Sequence, residues 1–137
     1  MQSKHLLSVL FGVIGGFVSY FFGGFSIAIE TLMVLMVIDY LTGVLAGAYL
    51  KELSSEIGFK GLLKKVMMLI ICAVAFRIDI LLGANRALFT SVIIFYCCNE
   101  AISIVENAIR LDLPIPEKLK QAIQILQEDD NDEGKIL

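Results

Sequence analysis

The sequence predicts an all-α, polytopic membrane protein with four transmembrane helices, arranged as two hairpins, and a short C-terminal amphipathic helix. Of its 137 residues, 58% are hydrophobic and 18% are charged. The charges are unevenly spread, since residues 6–50 carry only two and residues 66–105 carry only four. A helix needs about 20 apolar residues to cross a bilayer, so each of these blocks suits two crossings. We therefore expect residues 1–110 to form a transmembrane helical domain.

The first predicted hairpin joins spans at about residues 6–22 and 27–50. The break at Gly23-Gly24 is too short to hold an external domain. No small-x-small cleavage site follows a short apolar core, so we expect an uncleaved helix and not a signal peptide. Both spans contain glycines four residues apart, a spacing that permits close helix packing, either within one monomer or between copies. These glycines are Gly12 and Gly16 in the first span, and Gly43 and Gly47 in the second.

A polar loop is predicted at residues 51–65, between the two hairpins. Its four lysines, expected to anchor it at the headgroups, are Lys51, Lys60, Lys64 and Lys65. The turn between the first two spans has no basic residue, and the turn after the third span has only Arg86. Basic residues concentrate on the cytoplasmic side of membrane proteins. Both termini and this loop are therefore predicted to be cytoplasmic.

The second predicted hairpin joins spans at about residues 66–82 and 87–108. Pro114 and Pro116 then end the helix and extend the chain. A helix should restart at Glu117, because apolar residues recur there at a helical spacing. Those residues are Leu119, Ala122, Ile123 and Leu126. Residues 111–127 are thus predicted to form a linker and an amphipathic interfacial helix, and residues 128–137 a disordered acidic tail.

Polar side chains within the spans are the candidate pore-lining or helix-pairing residues. Charges at mid-bilayer cost about 2.5–3.5 kcal/mol each, so they normally face other helices, water or one another. The candidates are Asp39, Arg77, Asp79, Asn99 and Glu100. Asp39 precedes Lys51 by 12 residues and Arg77 follows Lys65 by 12, which places both about 18 Å deep. Asp39 and Arg77 are therefore predicted to lie close enough to form an internal pair that fixes helix packing. In the alternative, Asp39, Arg77, Asp79 and Glu100 line a wet lumen or an oligomer interface, and a proton or substrate site is a third possibility.

The sequence contains no pattern typical of a catalytic, cofactor or metal site. The three cysteines lie inside predicted spans without CxxC spacing, and the chain has one histidine. No nucleophile has a neighbouring base, and no basic patch with interleaved aromatic residues suggests nucleic-acid binding. We therefore expect neither an enzyme nor a nucleic-acid partner.

Five polar segments occur in a characteristic order across residues 36–127. They are Asp39–Gly43 (DYLTG), Ser54–Lys65 (SSEIGFKGLLKK), Arg77–Leu81 (RIDIL), Asn99–Asn107 (NEAISIVEN) and Leu113–Lys120 (LPIPEKLK). This order resembles the holin family of phage lysis and toxin-secretion systems in Gram-positive bacteria. The resemblance implies a protein that self-associates in the bacterial cytoplasmic membrane and, at a set time, opens lesions. An endolysin or a secreted toxin would leave through them, without requiring direct contact with the holin, and host cell lysis would follow.

Two other classes of protein remain open from the residues alone. A small four-helix transporter would be expected to place a carboxylate in a substrate cavity, and the first span has no charged residue. A membrane scaffold subunit that transports nothing would use the acidic tail for docking. Conditional expression separates the three classes. Abrupt loss of viability indicates a holin, and gradient-dependent uptake or efflux indicates a transporter. If neither effect occurs, the protein is a scaffold.

Overall fold

The computed structural model describes residues 2–122 and 124–125, and the regular structure in this part of the chain is helical. Four long helices follow one another: α1 (Gln2–Phe22), α2 (Ile27–Tyr49), α3 (Ser55–Leu82) and α4 (Ala87–Arg110). Among these described helices, three are long and apolar enough to span a membrane, namely α1 from Ser3, α2 and α4. The predicted all-α class is confirmed, and three of the four predicted spans coincide with helices that are long and apolar enough to cross a membrane.

Helix α3 differs from the prediction because it includes most of the predicted polar loop. It begins at Ser55, and its first turns contain an ion pair between Glu56 and Lys60 at 2.9 Å. The segment has no proline to interrupt the helix. The apolar part of α3 carries Lys65, Arg77 and Asp79, and composition alone therefore does not mark it as a span.

Two glycine turns lie side by side at one end of the bundle. Gly23 and Gly83 have φ values of 69° and 63°, in the left-handed region that glycine adopts readily. The Arg86 side chain joins the two turns, because its Nη2 donates to the Gly23 carbonyl oxygen at 3.0 Å. A side chain at Gly23 would overlap both Arg86 and Phe76. The glycine is therefore required both by its backbone conformation and by the close approach of α3.

The hydrophobic core lies between α2, α3 and α4, and α1 packs mainly on α3. The buried residues of this core are Phe22, Ile29, Leu32, Met36, Cys72, Phe76, Phe89 and Ile93. Phe22 is the only buried residue among the described side chains of α1. Most of α1 therefore presents apolar side chains to the surroundings, as a helix in contact with lipid does.

The C-terminal segment is described only in part. Residues 113–116 are irregular, and residues 117–122 and 124–125 are helical, so a helix begins at Glu117 as predicted. Two of the four residues on its expected apolar face, Ile123 and Leu126, lie outside the described residues, as does the predicted acidic tail at 128–137. The amphipathic character of this helix stays a prediction.

Candidate functional site

A cluster of ionised side chains joins the three core helices. Lys65 of α3 donates through Nζ to Asp39 Oδ2 of α2 at 2.7 Å and to Glu100 Oε2 of α4 at 2.5 Å. The side chains of Lys65, Asp39 and Glu100 are only 12%, 15% and 4% exposed. One ammonium group therefore holds two carboxylates that belong to different helices, and the three formal charges sum to −1.

Asn107 of α4 extends this cluster along α2. Its Nδ2 donates to Asp39 Oδ1 and to Thr42 Oγ1, both at 3.1 Å. Gly43 lies beside this amide, and a Cβ there would be in van der Waals contact with Asn107 Nδ2 at 3.5 Å. No buried side-chain nitrogen or oxygen lacks a partner in the part of the chain that the structure describes. A fully satisfied polar network of this kind favours one relative arrangement of the three helices.

The predicted pairing of Asp39 with Arg77 is wrong, because Asp39 pairs with Lys65. The depth estimate started α3 at residue 66, whereas the helix begins at Ser55. Asp39 lies 10 residues before the end of α2 at Tyr49, and Lys65 lies 10 residues after the start of α3. Both are thus about 15 Å from the connection between the helices, at 1.5 Å per residue. Lys65 is also predicted from the sequence to anchor the loop at the headgroups, but its side chain points into the bundle. The other three predicted anchors, Lys51, Lys60 and Lys64, are exposed.

Arg77 and Asp79 make separate contacts outside this cluster. The Arg77 Nη2 donates to the Tyr20 hydroxyl oxygen of α1 at 2.7 Å, and its guanidinium carbon lies 4.4 Å from the centroid of the Tyr20 ring. Asp79 is buried and accepts hydrogen bonds from the backbone N–H groups of Leu88 (3.1 Å) and Phe89 (2.7 Å). Its carboxylate therefore caps the first turn of α4, where unpaired N–H groups and the helix dipole favour a negative charge.

The remaining candidates have different surroundings. Asn99 is half-buried and takes no part in the hydrogen bonds of the cluster. Gly43 faces Asn107, and a Cβ at Gly47 would lie 3.5 Å from Leu53 Cδ1, so both glycines pack within the monomer. The other pair, Gly12 and Gly16, has open space beside it.

The list of candidates from the sequence omits Thr42 and Asn107, which belong to the cluster. Both lie within polar segments on which the resemblance to holins rests, Thr42 in DYLTG and Asn107 in NEAISIVEN. The available signal was spacing, because Glu100 and Asn107 are seven residues apart and therefore share one face of α4. Polar residues at this interval in an apolar helix indicate a face that is turned toward other helices.

Comparison with known proteins found a family and several relatives. A family model described as the bacteriophage holin family matches residues 16–128. The chain is 31% identical over 115 residues to a protein named probable holin from Bacillus phage phi105, covering 84% of each chain. It is 43% identical over 123 residues to an uncharacterized protein of Listeria innocua, covering 90% of this chain and 86% of that one. It is 45% identical over 114 residues to an uncharacterized 14.9 kDa protein of Clostridium perfringens, covering 82% and 86%. No solved structure matches the chain.

Proposed function

This chain belongs to the bacteriophage holin family, and from that premise we propose that it self-associates in the bacterial cytoplasmic membrane and opens lesions at a set time. An endolysin or a secreted toxin would leave the cell through them. The family match over residues 16–128 carries this proposal. Three helices able to span a membrane support it.

In the proposed topology, α3 is the fourth span and both termini are cytoplasmic. The 28 residues of α3 extend about 42 Å, which exceeds the ~30 Å hydrocarbon core. Its charges at Lys65 and Asp79 are paired or hydrogen-bonded inside the bundle, which lowers the cost of crossing. Residues 1–110 would then form the membrane domain, with residues 111–127 at the inner surface and residues 128–137 as a tail.

Contacts at the end of the bundle opposite the glycine turns support this topology. Arg110 Nη2 lies 3.2 Å from Glu52 Oε2, and the Tyr49 hydroxyl donates to Asp112 Oδ2 at 3.1 Å. The connection between α2 and α3 and the segment after α4 are thus at the same end of the bundle, as this topology requires. Cysteine labelling of intact cells is the test: a cysteine at Ala84 should react with an impermeant reagent, and one at Ile57 should not. Equal protection of both positions would remove α3 as a span.

The arrangement of polar groups suggests how lesions arise. In the monomer, Asp39, Lys65 and Glu100 satisfy one another between helices, while large apolar side chains are exposed on all four helices. A water-filled opening needs polar walls, because water does not hydrogen-bond to hydrocarbon side chains. We propose that crowding lets α2, α3 and α4 separate and pair with copies, so that these charges face the opening.

Co-expression with a cytoplasmic cell-wall hydrolase tests the proposed function. Culture turbidity should stay level while the protein accumulates and then fall abruptly as the hydrolase reaches the wall. Expression without the hydrolase is the control, in which viability should drop at the same time without a fall in turbidity. Slow leakage in proportion to expression, without release of the hydrolase, would contradict lesion formation and favour a channel or transporter.

A further inference from the structure

An open groove of about 610 Å³ lies between α1, α2 and α3. Aromatic side chains of α1, including Phe17 and Phe21, form one wall. The opposite wall is a single face of α3, where lining residues recur every three or four positions from Val66 to Leu81. Among the described residues that line the groove, Arg77 is the one charged residue and the others are apolar. The groove thus combines a hydrocarbon-like interior with one cation.

The charge of Arg77 is not neutralised within the described part of the chain. Its contacts there are the hydroxyl and the ring of Tyr20, and none of the described ion pairs includes it. The side chain is exposed, and a guanidinium has five N–H donors, so most of them point away from protein acceptors. A cation beside hydrocarbon strongly favours an anionic partner.

A second arginine adds positive charge at the same end of the groove. Arg86 donates to the Gly23 carbonyl and lies over the Phe76 ring, at 5.3 Å from its centroid. Tyr20 and Gly23 are three residues apart, about 4.5 Å along the helix axis. The two guanidinium groups therefore both make contacts at the C-terminal end of α1, one with its last turn and the other with the glycine that follows it.

The depth of Arg77 matches the position of a lipid headgroup in the outer leaflet. Arg77 is five residues from the end of α3 at Leu82, about 7.5 Å, a distance that a long arginine side chain can cover toward the interface. From Arg77 inward to Val66 there are 11 residues, or about 16 Å. One leaflet contributes about half of the ~30 Å hydrocarbon core, so the groove has the length of one acyl chain.

We propose that this groove binds an anionic phospholipid of the outer leaflet, with an acyl chain along α3 and the headgroup phosphate at Arg77. Arginine suits this position because its planar donors bind phosphate oxygens bidentately. The lipid separates α1 from α3 along the open part of the groove. The inference rests on the proposed crossing of the membrane by α3, but it is independent of whether lesions form.

Fluorescence quenching by brominated lipids tests the site on the full-length protein. The chain has no tryptophan, so Phe17→Trp introduces a single reporter into the groove wall. In phosphatidylcholine vesicles, brominated phosphatidylglycerol should half-quench this reporter at about a tenfold lower fraction than brominated phosphatidylcholine, which corresponds to about 1.4 kcal/mol of preference. A reference reporter, Phe95→Trp, is exposed on α4 outside the groove and should show no preference.

Four variants made with the groove reporter distinguish the headgroup contact from general attraction to the membrane. Arg77→Gln should abolish the preference, and Arg77→Lys should retain part of it. Arg110→Gln, which removes a cation outside the groove, should leave it intact. Val74→Phe adds bulk at an exposed position of the wall. It should reduce quenching by both lipids, because it narrows the groove although Arg77 is unchanged.

Three results would overturn the proposal. The first is equal quenching by the two brominated lipids, and the second is a preference that survives Arg77→Gln. The third is quenching that disappears as the ratio of protein to lipid rises, which would show a second copy of the chain in the groove. Labelling at Ile57 and Ala84 tests the crossing of α3 separately, and hydrolase release tests lesion formation. A failure of the lipid site is therefore distinguishable from a failure of the proposed function.

Discussion

Removing the charge of Lys65 should strongly destabilise the bundle. In Lys65→Met, the side chain keeps its length, but Asp39 and Glu100 remain as two buried carboxylates without their shared cation. Breaking a buried ion pair by removing one partner costs about 3–5 kcal/mol. The total stability of a domain is about 5–15 kcal/mol. We therefore expect this one substitution to remove a large part of the stability that holds α2, α3 and α4 together.

Unfolding by sodium dodecyl sulfate in mixed micelles, followed by circular dichroism, measures this loss. The triple variant Lys65→Met, Asp39→Asn, Glu100→Gln has no charge in the cluster and should recover most of the stability, because it leaves no uncompensated charge between the helices. The matched control is Lys60→Gln, which breaks an exposed pair with Glu56. Pairs of that kind contribute about 0.3–0.5 kcal/mol.

Two results would refute the reasoning about the cluster. One is a loss in Lys65→Met no larger than the loss in Lys60→Gln, which would mean that the ammonium is already solvated. The other is a triple variant whose loss equals the sum of the three single losses, because additive effects indicate groups that do not interact.

Two further predictions concern the capping carboxylate and the glycines. Asp79→Ala leaves the N–H groups of Leu88 and Phe89 without their acceptor; it should cost about 0.5–2 kcal/mol and speed hydrogen exchange at both amides, and unchanged exchange would contradict the capping role. Gly43→Leu inserts bulk against α4 and should cost about 1–3 kcal/mol in the same detergent titration. Gly12 has open space beside it, so Gly12→Leu should leave the midpoint of unfolding in this titration unchanged. Equal midpoints for the two leucine variants would argue against the close approach of α2 and α4.

Much of the architecture is predictable from the sequence because spanning a membrane is a local property. A run of about 20 apolar residues bounded by charges or glycines is sufficient to predict a span, and α1, α2 and α4 follow that pattern. The family was also predictable, because the polar segments between residues 36 and 127 are close together in the chain and keep their order. The match over residues 16–128 confirms it.

The partners of the polar residues depend on the tertiary structure. Helix α3 carries four cations that Asp39 could pair with, including Lys65 and Arg77. The choice depends on where α3 begins and which face it turns to α2. Those properties result from the packing of three helices, so Lys65 occupies the cluster and Arg77 faces the groove. The same holds for the glycines, since identical spacing places Gly43 against a neighbouring helix and Gly12 in open space. Spacing along one helix specifies a shared face, but only the packing of the other helices decides what that face contacts.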